Sequence, residues 1–152
     1  MIKIIPFEAA YAKDFERLNV EWLEKYFVVE AYDRKVLANP KEYIIDPGGV
    51  ILFAKYADDI VGTVALMKDK KNHFELTKMA VTEAFKGQKI GEKLMLSVLQ
   101  EARLKNLSQL YLITNSSLIP AISLYKKVGF KEVPMLQKSI YVRGDVKMEI
   151  TL

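Results

Sequence analysis

The sequence predicts a single domain over residues 1–152 with a mixed α/β fold, a mixed sheet covered by helices on both sides. Its length of 152 residues is typical of one compact domain with one sizeable core. The hydrophobic fraction of 51% and the charged fraction of 28% are those of a globular protein. Strand and helix periodicities alternate along the chain, and three successive strands are separated only by short turns.

The N-terminal part predicts one strand and two helices. Apolar and polar residues alternate over residues 1–7, which predicts a strand. Because proline cannot donate a backbone hydrogen bond, Pro6 indicates either that this strand lies at a sheet edge or that it ends there. Apolar residues at three- or four-residue spacing between residues 9 and 26 predict an amphipathic helix. A second short helix is expected over residues 33–38, because the Asn-Pro pair that follows is a helix stop signal.

Three strands then form a meander, with the third interrupted in its pattern. They are expected over residues 50–56, 60–67 and 73–81. In the third, Phe74 and Leu76 share one face, whereas Met79 and Val81 have the opposite parity. Either a β-bulge near residues 77–78 brings all four to the core side, or the strand is buried on both faces.

The second half of the chain predicts two helices and three strands. The helices are expected over residues 91–105 and 118–128, and the strands over 109–114, 130–133 and 139–152. Asn106 is a suitable C-terminal cap for the first helix. Pro120 is tolerated in the first turn of the second helix, which Gly129 ends.

Composition narrows the chemistry. The chain has no cysteine, which excludes disulfides, thiolate zinc sites and a cysteine nucleophile. Its one histidine, His73, argues against a multi-histidine metal site or a Ser–His–Asp triad. No apolar run reaches the roughly 18 residues of a membrane span, so we expect a cytoplasmic protein without a membrane partner. The net charge of +4 favours anionic small molecules but lacks the like-charge blocks of a nucleic-acid-binding arm.

The segment after the meander carries the clearest chemical signal. A strand turns through Gly87 and Gly91 straight into an apolar helix, and no Ser, Thr, Asp or Asn caps its first amides. Open N–H groups and the helix dipole form a site for an anion. Lys86, Lys89 and Lys93 crowd this positive end, where each costs about 0.3–1 kcal/mol. A bound polyanion would reverse that cost; the alternative is a solvated lysine-rich turn.

Three segments resemble the GNAT (GCN5-related) N-acetyltransferases. Lys86-Gly87-Gln88-Lys89-Ile90-Gly91 looks like motif A, Arg/Gln-x-x-Gly-x-Gly/Ala, with Lys86 in place of Arg or Gln and Lys89 in place of a glycine. Met79-Ala80-Val81 resembles the strand that pairs with the pantetheine arm of acetyl-coenzyme A. Asn115 with Ala121-Ile122-Ser123-Leu124-Tyr125-Lys126-Lys127-Val128-Gly129-Phe130 is similar to the second signature. Two motifs in order on the expected elements are a specific signal.

The resemblance implies a mostly antiparallel central sheet of about seven strands flanked by about four helices. It also implies an N-acetyltransferase that moves the acetyl group of acetyl-coenzyme A directly to a primary amine of a small molecule or peptide, through a ternary complex. Residues 79–81 and 86–91, together with Asn115 and Tyr125, would then bind the coenzyme. The alternative is a non-catalytic coenzyme A-binding or sensor module of the same fold, which Lys89 in place of the motif glycine favours.

Two residues are candidates for proton transfer. Tyr125 matches the family tyrosine that protonates the departing thiolate; its alternative is a packed helix aromatic. Glu75 lies upstream of the predicted bulge and is a candidate base for the acceptor ammonium; its alternative is a solvated strand carboxylate. His73 is another candidate because of its residue type, but its lysine-rich turn indicates a surface position. A backbone amide exposed by the bulge would supply the oxyanion donor.

The acceptor pocket is expected between the first two helices and the loop before the last strand. Candidate residues there are Tyr26, Glu30, Tyr32, Tyr141 and Arg143. Aromatic rings with carboxylates suit a cationic amine, and Arg143 could equally hold an acceptor carboxylate. An exposed edge strand in the C-terminal segment would also allow a homodimer, which the sequence leaves open.

Overall fold

The computed structural model describes residues 1–152 and contains one seven-stranded sheet. The strands are β1 Ile2–Pro6, β2 Val50–Tyr56, β3 Asp59–Lys68, β4 Phe74–Val81, β5 Gln109–Thr114, β6 Lys131–Val133 and β7 Val146–Thr151. The α-helices are α1 Ala12–Tyr26, α2 Ala31–Ala38, α3 Ile90–Leu104 and α4 Ile119–Val128. None of the helices combines the length and the apolar character that crossing a bilayer requires.

The sheet has the strand order β1-β2-β3-β4-β5-β7-β6. Every neighbouring pair is antiparallel except β4 and β5, which are parallel. The predicted mixed, mostly antiparallel sheet is therefore confirmed. β1 is an edge strand and ends at Pro6, where a missing N–H costs no ladder bond.

The C-terminal strand differs from its prediction over residues 139–152. It begins only at Val146 and lies inside the sheet, between β5 and β6, so the second edge is the three-residue β6. Residues 139–145 form a loop instead, which the Asp145 amide ties to the sheet by donating to the Thr114 carbonyl at 3.0 Å. This loop supplies one wall of the site described below.

Apolar side chains form one core on each face of the sheet. α3 and α4 cover one face, with Leu94, Val98 and Phe130 fully enclosed. α1 and α2 cover the other face, with Phe15 and Leu37 among the buried residues. The ends of α3 and α4 agree with the predicted end signals. Asn106, two residues beyond α3, and Gly129, directly after α4, have left-handed φ angles of 60° and 117°.

Two local features depart from sequence expectations. The apolar Leu96 of α3 is 53% exposed, whereas the adjacent Met95 is buried, because the side chain of Met95 is the one that points toward the core. A π-helical turn at Lys41–Ile45 follows α2 and was not predicted. The Asp46 amide donates to the Lys41 carbonyl at 2.8 Å, the five-residue step that defines such a turn.

The predicted β-bulge lies in β4. Thr77 pairs with Ala65 and Ala80 with Thr63, so two residues of β4 oppose the single residue Val64 of β3. These two residues are Lys78 and Met79, and Lys78 has a left-handed φ of 57°. The phase shift lets Phe74, Leu76, Met79 and Val81 all pack against the α3-side core, as the bulge interpretation requires.

Beyond the bulge, β4 and β5 separate. They pair at a single position, Glu75 with Tyr111, and no ladder joins them toward their C-terminal ends. A helix is needed to connect parallel neighbours, and α3 does so here. The gap between the diverging strands opens a passage through the sheet.

Candidate active site

A first cavity of about 160 Å³ occupies the gap between β4 and β5. It is lined by the bulge of β4, the end of β5, α4, the C-terminal end of α1 and the loop of residues 139–145. The predicted site residues in its wall are Glu75, Met79, Asn115, Tyr125, Tyr141 and Arg143. Residues that are distant in the sequence thus meet where the strands part.

A second cavity of about 240 Å³ lies on the α2 side, beside the β3–β4 turn. Tyr32, Tyr111 and Ile140 line it. Glu75, Thr77, Lys78 and Tyr141 belong to the walls of both cavities. The two cavities are therefore neighbours, and Glu75 is one of the residues that line both.

Glu75 has the titration behaviour of a base that works near neutral pH. Burial raises the pKa of its carboxyl from 4.5 to about 7, with the Lys78 ammonium lowering and the Asp69 carboxylate raising it further. No hydrogen bond from the protein contributes to that shift. The carboxyl is therefore free to accept a proton from a bound molecule.

Tyr125 projects from α4 into the first cavity and is 9% exposed. Burial alone raises the pKa of its hydroxyl to about 12, so the group stays protonated at neutral pH. Its ring packs edge-to-face on Phe130 at a centroid distance of 6.1 Å, which fixes the direction of the hydroxyl. Tyr125 therefore packs in the core with its ring and also lines the cavity, so the two alternatives for this residue do not exclude one another.

The loop of residues 86–91 has the expected form of an anion site. No backbone N–H of residues 87–92 donates a hydrogen bond within the chain, and no side chain caps α3. Gly87 has a φ of 82° and Lys89 a φ of 60°, so two left-handed residues shape the turn. Lys89 holds this conformation at a cost of about 1–2 kcal/mol, because its Cβ approaches the following carbonyl.

Lys86 and Tyr26 meet outside both cavities. The Lys86 ammonium donates to the Tyr26 hydroxyl and lies 3.3 Å from the carboxylate of Glu83. Lys25 at the end of α1 also pairs with Glu83. Tyr26, expected near the acceptor, thus lies beside the anion-binding loop instead.

A buried ion network joins α2, the bulge and the C-terminal loop. The Arg143 guanidinium donates to both oxygens of Asp33, at 2.7 and 2.9 Å, and to Glu30 at 3.2 Å. The Lys78 ammonium lies 3.6 Å from Asp33 and donates to the Tyr141 hydroxyl at 2.9 Å. Burial opposes ionisation of Asp33, yet these hydrogen bonds and charges hold the pKa of its carboxyl below the usual value.

Asp33 lies in the part of the sequence where the acceptor pocket is expected, but its partners were not predicted, and Lys78 was not predicted as a site residue. Asp33, which is fully buried, sits at the third position of α2 and completes a capping box with Glu30, a pattern visible in the sequence. Lys78 occupies the bulge, where a cation beside apolar strand residues was a usable signal. The pairing of Asp33 with Arg143, which is 110 residues away in the sequence, and with Lys78 was not readable from either signal.

The remaining predicted residues take simpler positions. The Asn115 amide donates to the Arg143 carbonyl at 2.8 Å, and its oxygen accepts from the Ser117 amide and hydroxyl, so it shapes the turn after β5. Ala80 packs in the α1-side core. His73 is exposed, as expected.

Comparison with known proteins shows which family this architecture represents. Residues 13–130 match the model of the acetyltransferase (GNAT) family. The uncharacterized N-acetyltransferase YvbK of Bacillus subtilis is 30% identical over 105 residues, covering 67% of this chain and 68% of YvbK. N-acetylaspartate synthetase of Xenopus tropicalis is 30% identical over 72% of this chain, which spans only 45% of that protein.

Solved structures agree in fold. A GNAT-family acetyltransferase from Staphylococcus aureus Mu50 superimposes with a TM-score of 0.87 at 23% identity, covering 99% of both chains. The acetyl-CoA complex of yncA, a putative acetyltransferase from Salmonella typhimurium, gives a TM-score of 0.75 at 16% identity over 99% of this chain and 94% of its own.

The sheet that parts beside an open helix N-terminus defines an acyltransferase architecture, and the chain belongs to the GNAT acetyltransferase family. The predicted family, fold class and enzyme class are thereby confirmed.

Proposed function

We propose that residues 1–152 act as one catalytic domain that transfers the acetyl group of acetyl-coenzyme A directly to a primary amine of a small molecule or peptide. The observation that carries this proposal is the position of Glu75, whose carboxyl borders both cavities and has a pKa of about 7. A donor in one cavity and an amine in the other would meet at this group.

The donor site combines the anion loop with the first cavity. The free amides of residues 87–92, with Lys86 and Lys89 beside them, suit the diphosphate of coenzyme A. The pantetheine arm would lie along Met79, Ala80 and Val81, where β4 has lost its neighbour on the β5 side. The arm would thus extend the sheet at its open gap and carry the thioester into the first cavity, next to Tyr125 and Asn115.

The reaction needs a general base, a hydrogen-bond donor for the carbonyl oxygen and a general acid from the protein. Glu75 takes a proton from the acceptor ammonium, directly or through a water molecule, so that the neutral nitrogen can attack the thioester carbon. A backbone N–H at the bulge, next to Met79, stabilises the negative charge that develops on the carbonyl oxygen. As the C–N bond forms and the C–S bond breaks, the Tyr125 hydroxyl gives its proton to the departing sulfur. The second proton, which the nitrogen loses as the amide forms, restores the Tyr125 hydroxyl directly or through water.

The acceptor would enter from the second cavity, with Tyr32 and Tyr141 in its wall. Aromatic rings beside a carboxylate favour a cationic amine before it loses its proton. Glu30 and Arg143, expected as direct contacts, act in this proposal through the ion network that holds the loop of residues 139–145. We also propose a cytoplasmic location. The C-terminal strand β7, expected as an exposed edge, lies inside the sheet, so a homodimer would have to pair through β1 or the short β6.

A coenzyme A-binding sensor is the second candidate, and the strained Lys89 at the motif glycine position is the observation that favours it. Release of free thiol from acetyl-coenzyme A, measured with a panel of amines and peptides, tests both. An enzyme releases thiol with at least one acceptor in an amine-dependent manner. Tight coenzyme binding with no release for any amine would instead establish the sensor.

A further inference from the structure

The ion pairs around Glu75 restrict which groups an acceptor can carry next to its amine, an inference that rests on the proposed function. Both buried cations near Glu75 are already engaged. Arg143 is held by two hydrogen bonds to Asp33 and one to Glu30, and its side chain is 16% exposed. Lys78 is 5% exposed and is held by Asp33 and the Tyr141 hydroxyl.

Two other lysines border the second cavity, and neither faces Glu75. In the β3–β4 ladder, Met67 pairs with Glu75 and Lys68 with Phe74. Because neighbouring strand residues point to opposite faces, the Lys68 side chain leaves the sheet on the face away from Glu75. Lys70 lies in the turn and is exposed to solvent. These two cations can reach only a distant part of an acceptor.

Two carboxyl groups, those of Asp69 and Glu75, lie in the wall of this cavity. The Asp69 carboxylate accepts hydrogen bonds from the amides of Lys71 and His73, at 2.8 and 2.9 Å, and from the Tyr111 hydroxyl at 2.9 Å. Burial opposes its ionisation, but these bonds prevail and hold its pKa below the usual value. Glu75 adds a second negative charge once it has lost its proton.

A carboxylate on the carbon that bears the amine would enter this region with the amine. It would lie beside Glu75 and Asp69, where Lys78 and Arg143 are already paired. Lys147, whose ammonium lies 5.0 Å from the centre of the Tyr111 ring, is paired with Glu149. Burying a charge without a partner is strongly unfavourable. The neighbouring wall is aromatic and apolar instead, with Tyr32, Met67 and Ile140. We infer that the acceptor is an alkyl- or arylalkylamine whose amine-bearing carbon carries no carboxylate, and not an α-amino acid.

This chemistry is present in a free amine and in a lysine side chain, and matched substrates separate the cases. The wild-type protein is assayed with phenethylamine against L-phenylalanine and tyramine against L-tyrosine. L-aspartate and Nα-acetyl-lysine amide are added as single substrates. We expect kcat/KM to be at least about 30-fold higher for each amine than for its amino acid, since leaving a buried charge unpaired costs about 2 kcal/mol or more. Nα-acetyl-lysine amide as the best substrate would identify the lysine side chain as the source.

Equal turnover within the pairs, or preference for aspartate, would overturn the inference while leaving the proposed acetyltransfer intact. Failure of every amine would contradict the proposed function itself.

A second experiment addresses the cause. Asp33→Asn releases Arg143 and Lys78 for an acceptor carboxylate, so the preference for the amine should narrow by at least about tenfold. Asp58→Asn, in the exposed β2–β3 turn, removes the same charge away from the site and should keep the wild-type ratio. An unchanged ratio in folded Asp33→Asn would contradict the role of the ion network. If Asp33→Asn does not fold, the wild-type pairs still decide the inference.

Discussion

The Lys86 ammonium donates a hydrogen bond to the Tyr26 hydroxyl at an Nζ–Oη distance of 2.5 Å and lies 4.5 Å from the centre of the same ring. This contact joins the last residue of α1 to the loop that precedes α3. The hydrogen bond from Lys86 lowers the pKa of the Tyr26 hydroxyl. Lys86 is therefore held beside the free amides of that loop before any anion arrives.

Removing either partner should weaken coenzyme A binding. Lys86→Met removes a phosphate-side cation and should raise the Kd about tenfold, whereas Tyr26→Ala should raise it about threefold, since exposed cation–π contacts contribute about 0.5–1 kcal/mol. Tyr26→Phe keeps the ring and should have the smallest effect. Isothermal titration calorimetry measures all three, with Lys131→Met on the β6 edge as the control. If a Tyr26 variant instead changed the KM for the amine and left the Kd for coenzyme A unchanged, Tyr26 would belong to the acceptor site.

Tyr125→Phe should lower kcat about 100-fold, within the range typical of a lost general acid. Coenzyme affinity should stay within about twofold, because the ring and its packing on Phe130 are kept. Steady-state thiol release and calorimetry measure the two quantities on the same preparation. Full activity in this variant would assign Tyr125 to the core alone.

Glu75→Gln should remove the acidic limb of the rate–pH profile. In the wild type, kcat/KM should rise with pH through about 7, as the Glu75 carboxyl becomes ionised. Gln cannot accept the proton, so the variant should lose most activity across this window. A variant that keeps a limb near pH 7 would show that another group titrates there.

Glu75→Gln should also have a larger free energy of unfolding than the wild type at alkaline pH. The pKa of Glu75 is raised in the folded state, so between pH 4.5 and about 7 the folded state binds more protons than the unfolded state. Stability from this group is therefore lost as pH rises through that range. Glu75→Gln should exceed the wild type by about 2 kcal/mol at pH 8.5 and by little at pH 5. Urea unfolding at both pH values checks the sign, and a variant less stable at pH 8.5 would refute it.

Lys89 should contribute to coenzyme binding through its charge. Lys89→Asn keeps a residue that tolerates left-handed angles but removes the ammonium, so the Kd should rise about threefold and depend less on salt. Lys89→Gly also relieves the backbone strain and should change the free energy of unfolding by no more than about 1 kcal/mol, because glycine gains freedom in the unfolded chain. Unaltered salt dependence in Lys89→Asn would exclude a phosphate contact.

Local chemistry made much of this site readable in advance. The parity change between Leu76 and Met79 predicted either a bulge or a strand buried on both faces, since a strand with one buried face cannot change phase without an extra residue, and the structure contains the bulge. The anion loop followed from a glycine turn ahead of an uncapped helix. The role of Asp33 could not be read in this way, because its partners Lys78 and Arg143 come from β4 and from a loop more than 100 residues away.

The sequence alone determined most of the helices and strands, the resemblance to the family and the open amides before α3, because periodicity, caps and turns depend on neighbours in the chain. Only the folded structure decided that β4 and β5 part after one pair, Glu75 with Tyr111, and that two cavities meet there. It also decided that Tyr26 lies with Lys86 and that Arg143 is already neutralised. Charges and cavities depend on distances between remote segments, which the packing of two cores on one twisted sheet sets.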